Sequence, residues 1–490
     1  MVPVLELVHH RPLERGAHTK GEPMSAARIV VWSEDDCRRV HEATLRVLAE
    51  TGIDVRFESA LEVFAAAGGR VDGARVRLDA AAIDKALASA PRTWTVRSRG
   101  RDEVLELRSG NTYFGTGSDC LYYRDPDTGT RRRVRNADIE EMAALAEQLP
   151  HLDFVMSMGL PEDAPLATDD LSAVASMLAG TRKPLMVATR NGGVVEAVKD
   201  MCAAAGAPDS FMIYAMPAPP LMHDRDGLSK LKACAEHEVP VIWAAAPNAG
   251  STGPRSIAGT AVVGNAETLA GLVYHQQVRP GAPFVFGVGV GAMDMRTAVD
   301  AYTTPESPLG QAAQEDLCRW YGLPSFNYAA MSDSKTLDEQ FALEYGLTAM
   351  AGALPRGTLV HDVGYLESGL QSSCESIVLG NAAIGWAKAF MRDVPTDDEA
   401  LALEEIMEVG PGGNFLARKY TRRHARDFWY DDLFDHSVFD RWNAAGRQTM
   451  LDRVKARVAE LRGKRAFVPD PALRARVAEI MRAAGSERRA

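Results

Sequence analysis

The chain predicts an α/β fold: a (β/α)8 barrel with an N-terminal α+β extension and a C-terminal helical extension. Three observations lead there. Between residues 111 and 392, eight short apolar runs each precede a helical segment. Strands that alternate with helices pair in parallel, because parallel neighbours need a crossover connection. The span is also close to the ~250 residues typical of a closed barrel. A doubly wound open sheet is the runner-up, but no Gly-x-Gly-x-x-Gly turn joins a first strand to its helix.

Residues 1–27 read as a loose arm. The apolar stretch from Val2 to Val8 has no basic segment before it, which argues against a signal peptide, and Met24 offers a second possible start. Residues 28–110 read as an α+β subdomain for packing or assembly. Ser33 with Asp36 resembles a capping box, and Cys37, Val40, Thr44, Val47 and Leu48 follow at helical spacing before Gly52. Helices are expected near 58–67 and 80–90, with a hairpin around Asp72-Gly73.

The barrel strands are expected at 112–115, 154–157, 185–188, 211–215, 241–245, 284–288, 325–329 and 359–362. Their helices are expected at 136–148, 168–179, 193–204, 226–237, 264–277, 308–321, 338–352 and 374–392. Residues 393–490 read as a helical extension. It holds an acidic helix, the loop Gly410-Pro411-Gly412-Gly413, an Arg- and aromatic-rich stretch from Arg418 to Phe434, and long charged helices over 438–462.

Composition narrows the function classes. The chain is 46% hydrophobic and 25% charged, as in an ordinary soluble enzyme. Its 55 basic and 66 acidic residues give a net charge of −11, against a nucleic-acid partner. The basic run Arg131-Arg132-Arg133-Val134-Arg135 is too short to change that. Six scattered cysteines form no Cys-x-x-Cys pair, which argues against structural zinc or a disulfide framework. No apolar run reaches membrane-spanning length, so the expected place is the cytoplasm, with no membrane partner.

Barrel active sites lie in the loops after the strands. That rule selects Asp119 after the first strand, Asp294 after the sixth, Ser334 and Lys335 after the seventh, and His361, Asp362, Tyr365 and Glu367 at the eighth. Each has a plainer reading too. His361 lies in an apolar strand, Asp119 and Asp294 sit in turns that favour Asp, and Lys335 is either a Schiff-base lysine or a solvated ion-pair partner. Tyr113, Phe114, Tyr122, Tyr123, Trp243, Phe326, Tyr328 and Tyr365 gather near the same rim. Ring faces attract quaternary ammonium ions, so the sequence permits a methylated-amine pocket.

The chain resembles the trimethylamine methyltransferase family of corrinoid-dependent methyltransferases. The resemblance is carried by His41-Glu42-Ala43-Thr44-Leu45 with Thr51-Gly52, by Tyr113 to Asp119, and by Asp153 to Pro161. It continues through Gly291 to Arg296, Ser332 to Lys335, His361 to Gly369, and Glu408 to Phe415. It implies a barrel that moves a methyl group from an amine to the cobalt of a separate corrinoid protein. The trimethylamine-specific branch uses pyrrolysine, and this chain has standard residues only. Branches without pyrrolysine look like quaternary-amine enzymes, glycine betaine being the best-known substrate type. No Asp-x-His-x-x-Gly cobalamin motif occurs, so the expected corrinoid arrives on a partner and this chain binds no cofactor of its own.

The role assignments are our own. Tyr113, Phe114, Tyr328 and Tyr365 form an aromatic cage, with Phe326, Asp294 and Ser334 also lining the substrate. Glu367 and Asp119 complement the cation, and His361, oriented by Asp362, bonds a substrate carboxylate. A homo-oligomer is expected. The alternatives are a non-catalytic quaternary-amine binder and a Lys335 Schiff-base lyase.

Overall fold

The computed structural model describes residues 27–487, so the expected arm lies outside the described residues except for Ala27. Seven parallel strands form the barrel sheet: β1 (Tyr113–Thr116), β3 (Leu185–Ala188), β4 (Phe211–Ala215), β5 (Val241–Ala245), β6 (Phe284–Val288), β7 (Ser325–Tyr328) and β8 (Leu359–Val363). They run in the order β1-β8-β7-β6-β5-β4-β3. The eighth stave, β2, closes the ring. Its Phe154 bridges Gly115 of β1, and its Val155 bridges Leu185 of β3.

A full strand was expected over 154–157, and Thr116 explains why only two bridges form. Its hydroxyl donates to the Met156 carbonyl at 3.0 Å and accepts the Met156 N–H at 2.8 Å. A side chain thus replaces part of the backbone ladder.

The eight barrel helices are Asn136–Glu147, Asp169–Gly180, Val195–Ala204, Arg225–His237, Ile257–Val278, Glu306–Tyr321, Glu339–Ala353 and Cys374–Phe390. The fifth begins two turns before its expected start. It is buried almost all round, because the barrel covers one side and helices Glu34–Arg46, Glu58–Ala66 and Ala80–Ser89 cover the other.

Alternate residues of a barrel strand point inward. Phe154, Met186, Met212, Ile242, Val285 and Leu359 therefore share one buried interior cluster. Val96, Leu105 and Leu107, from the hairpin Trp94–Arg97 and Val104–Leu107, belong to the same cluster. That hairpin plugs the amino-terminal floor, leaving the carboxyl-terminal mouth as the way in. At the mouth, strand Ile53–Arg56 pairs in parallel with Met222–Asp224 in the loop after β4. The N-terminal unit thereby braces one mouth loop.

In the tail, Met450–Gly463 packs on Cys374–Phe390, and Pro471–Glu487 packs on Val195–Ala204. The helices expected over 438–462 are Phe439–Ala444 and Met450–Gly463, separated by a turn at Gly446, whose φ is 92°. No described helix is long and apolar enough to cross a membrane.

Candidate active site at the barrel mouth

The site is built on an irregularity in β8. This strand is in register with β1 at Val360–Phe114 and again at Val363–Thr116, so His361 and Asp362 together face Gly115. Two residues against one is a β-bulge, a device that re-aims side chains. Asp362 adopts φ 68°, and its carboxylate turns back on the imidazole: Oδ1 lies 2.7 Å from His361 Nδ1. The contact is close but lacks hydrogen-bond alignment, so both buried atoms keep unused bonding capacity.

Aromatic rings wall the pair. His361 stacks on Phe326 at 4.1 Å and lies 6.0 Å from Tyr214. Tyr302 stacks on Tyr328 at 6.2 Å. Burial raises the phenol pKa values of Tyr214, Tyr302, Tyr328 and Tyr365, with the Asp362 charge adding to each. These hydroxyls stay neutral. Asp119 is exposed to solvent, yet protein hems it in closely enough for desolvation to raise its pKa; the Ser118 hydroxyl, which bonds it at 3.0 Å, and Lys230 act against that rise. It occupies the wall of a recess. Asp300 is pushed up to about 6, chiefly by burial.

Two further features separate this end of the barrel. Asp119, Met158, Ala330 and Asp362 follow or end β1, β2, β7 and β8, and all have positive φ. Such conformations cost ~1–3 kcal/mol each and gather at functional sites. Several buried polar atoms here miss good hydrogen-bond geometry: Gln371 Oε1, the His361–Asp362 pair, and Tyr328 Oη, Asp300 Oδ1, Asn248 Oδ1 and Ser372 Oγ, of which Tyr328 has Ser307 beside it, Asp300 has Asn248 and Ser372 has Cys120. Native interiors rarely leave such atoms unpaired, so water or a ligand completes them.

The sequence-derived residues divide. His361, Asp362, Asp119, Phe326 and Tyr328 come together at the mouth. Tyr365 is a strut: its hydroxyl donates to the Ser118 carbonyl and accepts the Ser118 N–H, tying the β1 loop to the β8 loop. Tyr113 belongs to the floor, where its hydroxyl accepts the Glu106 N–H at 3.1 Å. Phe114 faces outward under the Lys388 ammonium, 5.0 Å from its ring centre. Tyr113 thus lies at the wrong end of the barrel and Phe114 on its outer face, so neither joins the cage.

Glu367 is held by Arg131 through two bonds of 2.8 and 2.9 Å, so its charge is already matched. Asp294 is held by Arg296, which draws its pKa down to about 2. The Ser334 hydroxyl donates to Thr336 and Asp338 in its own turn. Lys335 is exposed and donates to the Asp333 carbonyl, so it lacks the desolvation a Schiff-base lysine needs.

Sequence reasoning missed Tyr214, Tyr302, Asp300 and Lys230. Tyr214 was within reach, since β4 alternation places it inward with Met212. Tyr302 and Asp300 enter from a long loop without periodicity.

The chemistry available is recognition of a cation by neutral rings and carboxylates. Cys120 adjoins the mouth, but burial and the Asp362 and Asp119 charges raise its thiol well above the usual range, leaving no thiolate. Among the described residues, no group of three His, Cys, Asp or Glu is placed to hold a metal.

Residues 13–484 match the family Trimethylamine methyltransferase (MTTB). The chain belongs to that family, and it is a methyltransferase. A glycine betaine methyltransferase of Desulfitobacterium hafniense (strain Y51) is 32% identical over 93% of this chain and 97% of that protein. The trimethylamine methyltransferase MttB of Methanosarcina barkeri (strain Fusaro) is 28% identical over 89% of this chain and 91% of its own length. In fold, this family member is similar to the hydroxylamine complex of MtmB, with a TM-score of 0.50, 11% identity and 90% of both chains covered.

Proposed function

We propose that this methyltransferase takes a methyl group from a small quaternary amine of the betaine class and passes it to the Co(I) of a separate corrinoid protein. It does so as an oligomer in the cytoplasm. The observation that carries the reading is the aromatic and acidic mouth around the β8 bulge. The similarity to a glycine betaine methyltransferase and the lack of pyrrolysine point the same way.

A quaternary nitrogen has no N–H and no lone pair, so only charge and ring faces recognise it. Each ring contact contributes ~0.5–2 kcal/mol, more when desolvated. Tyr214, Phe326 and Tyr328 supply faces, and Asp362 and Asp119 supply charge. Phe326 holds the imidazole plane, and the imidazole holds the Asp362 carboxylate. The Tyr365 strut fixes the distance between the Asp119 and Asp362 loops.

The C–N bonding pair stays on nitrogen, which leaves as a neutral tertiary amine, and Co(I) supplies both electrons of the new bond. No proton moves, so this chain needs no general acid or base. Its task is to hold the methyl in line and keep water away. The exposed side of Asp119 and the small-residue loops after the strands leave the top open for a broad partner.

Anaerobic incubation with glycine betaine and a reduced corrinoid protein tests this. Dimethylglycine formed in step with loss of the Co(I) absorbance supports it. Demethylation without the corrinoid protein contradicts the mechanism, and tight binding without turnover makes the chain a binder.

A further inference from the structure

The mouth also receives a positive charge, which the cation-binding wall does not need. Helix Arg225–His237 starts at Asp224, whose side chain accepts the Gly227 N–H at 2.7 Å. Gly227 fits closely against the barrel: a Cβ there would lie 2.8 Å from the Met216 carbonyl and 2.9 Å from the Trp243 ring. Lys230 and Cys234 follow three and seven residues later on the same face, and Cys234 is fully buried. Ser229 pins this turn by accepting the Gly192 N–H from the β3 loop at 2.9 Å.

Lys230 therefore lies on the barrel-facing side of a helix that packs on β4, β5 and the turn after β3, one turn below the helix start. It is half-buried and has no hydrogen bond, nor an ion pair within 4 Å, among the described residues. Burial lowers its pKa. Of the carboxylates that oppose this, Asp119 across the mouth acts most strongly, ahead of Asp224 and Asp226 at the start of its own helix. β4 lies on the far side of β2 and β3 from β1, so the ammonium and the Asp119–Asp362 wall approach the recess from different sides.

We propose that Lys230 receives the carboxylate of a zwitterionic substrate and so makes the enzyme select betaines over quaternary amines that lack an acid group. The inference rests on the quaternary-amine reading above. An ammonium without a hydrogen-bond partner, on the barrel-facing side of its helix and opposed across the mouth by acidic residues, matches a molecule that is positive at one end and negative at the other.

Calorimetric titration with glycine betaine and with choline separates the possibilities, because choline keeps the trimethylammonium and replaces the carboxylate with a hydroxymethyl group. On the unaltered protein, glycine betaine should bind at least about tenfold more tightly. Lys230→Met should weaken glycine betaine about tenfold to a hundredfold, the range of a charge-assisted hydrogen bond, and leave choline unchanged or tighter. Lys230→Arg should restore most of the preference. Equal affinity of the unaltered protein for the two ligands overturns the proposal even if Lys230→Met does not fold, and so does an equal loss for both in the variant. If neither ligand binds the unaltered protein, the quaternary-amine reading fails and this inference with it.

Discussion

The two ends of the barrel interior obey opposite rules. The floor is apolar, with Phe154, Met186 and Met212 packed on the plug residues Val96 and Leu105. The mouth carries positive φ at Asp119, Met158, Ala330 and Asp362, and unpaired polar atoms on His361, Asp362 and Tyr328. One end is built for stability, and the other holds strain and unmet bonding capacity. The difference is what supports the proposal of a ligand at the mouth.

The sharpest way to break the comparison is to exchange the consequences. Phe154→Ala on the floor should cost ~3–5 kcal/mol of stability, the usual range for a buried Phe. Thermal melting checks this, and an unchanged midpoint would show that the floor is not the stabilising end. Asp362→Asn at the mouth should do the reverse. Asn tolerates the left-handed backbone, so the melting point should hold or rise. Amine affinity should fall by ~1–3 kcal/mol, from loss of a charge contact. A large drop in melting point with affinity intact would reverse the two roles.

Acidity sharpens the same contrast. The pKa of Asp300 is raised to about 6 by burial, so it is neutral below that pH and charged above it. Cation affinity should therefore strengthen as pH rises through about 6, and Asp300→Asn should flatten the profile. The folded value exceeds the ~3.9 of an unfolded Asp, so this group withdraws stability as pH climbs from about 4 to about 6. Affinity and stability should move in opposite directions there, and parallel movement would remove Asp300 from the site. The smallest effect belongs to the rim. Glu367→Gln breaks a partly exposed pair with Arg131 and should cost about 0.2–1 kcal/mol of stability with amine affinity unchanged.

Strand and helix positions were legible because apolar runs and helical spacing are local signals. Seven strands fall within a residue of their expected bounds. β2 was over-read because the Thr116 hydroxyl competes with the backbone, which no periodicity reveals. At the candidate site, His361 and Asp362 were expected from their place at a strand end, and the structure sets them at the mouth. Their shared orientation was not legible, since a β-bulge is a mismatch between two strands rather than a property of one. Tyr113 and Phe114 were misplaced by treating two neighbours as one face, an error that strand alternation itself forbids. Glu367 was over-read for another reason: its partner Arg131 lies 236 residues away in sequence. Long-range ion pairs leave no sequence trace.

A crystal structure with glycine betaine bound tests the central claim most directly. The ammonium should lie within about 6 Å of ring faces at the β8 bulge, among Tyr214, Phe326 and Tyr328, with Asp362 or Asp119 facing it. Betaine bound at the Arg131–Glu367 rim, or on the outer face of the barrel with the mouth unchanged, would contradict the account.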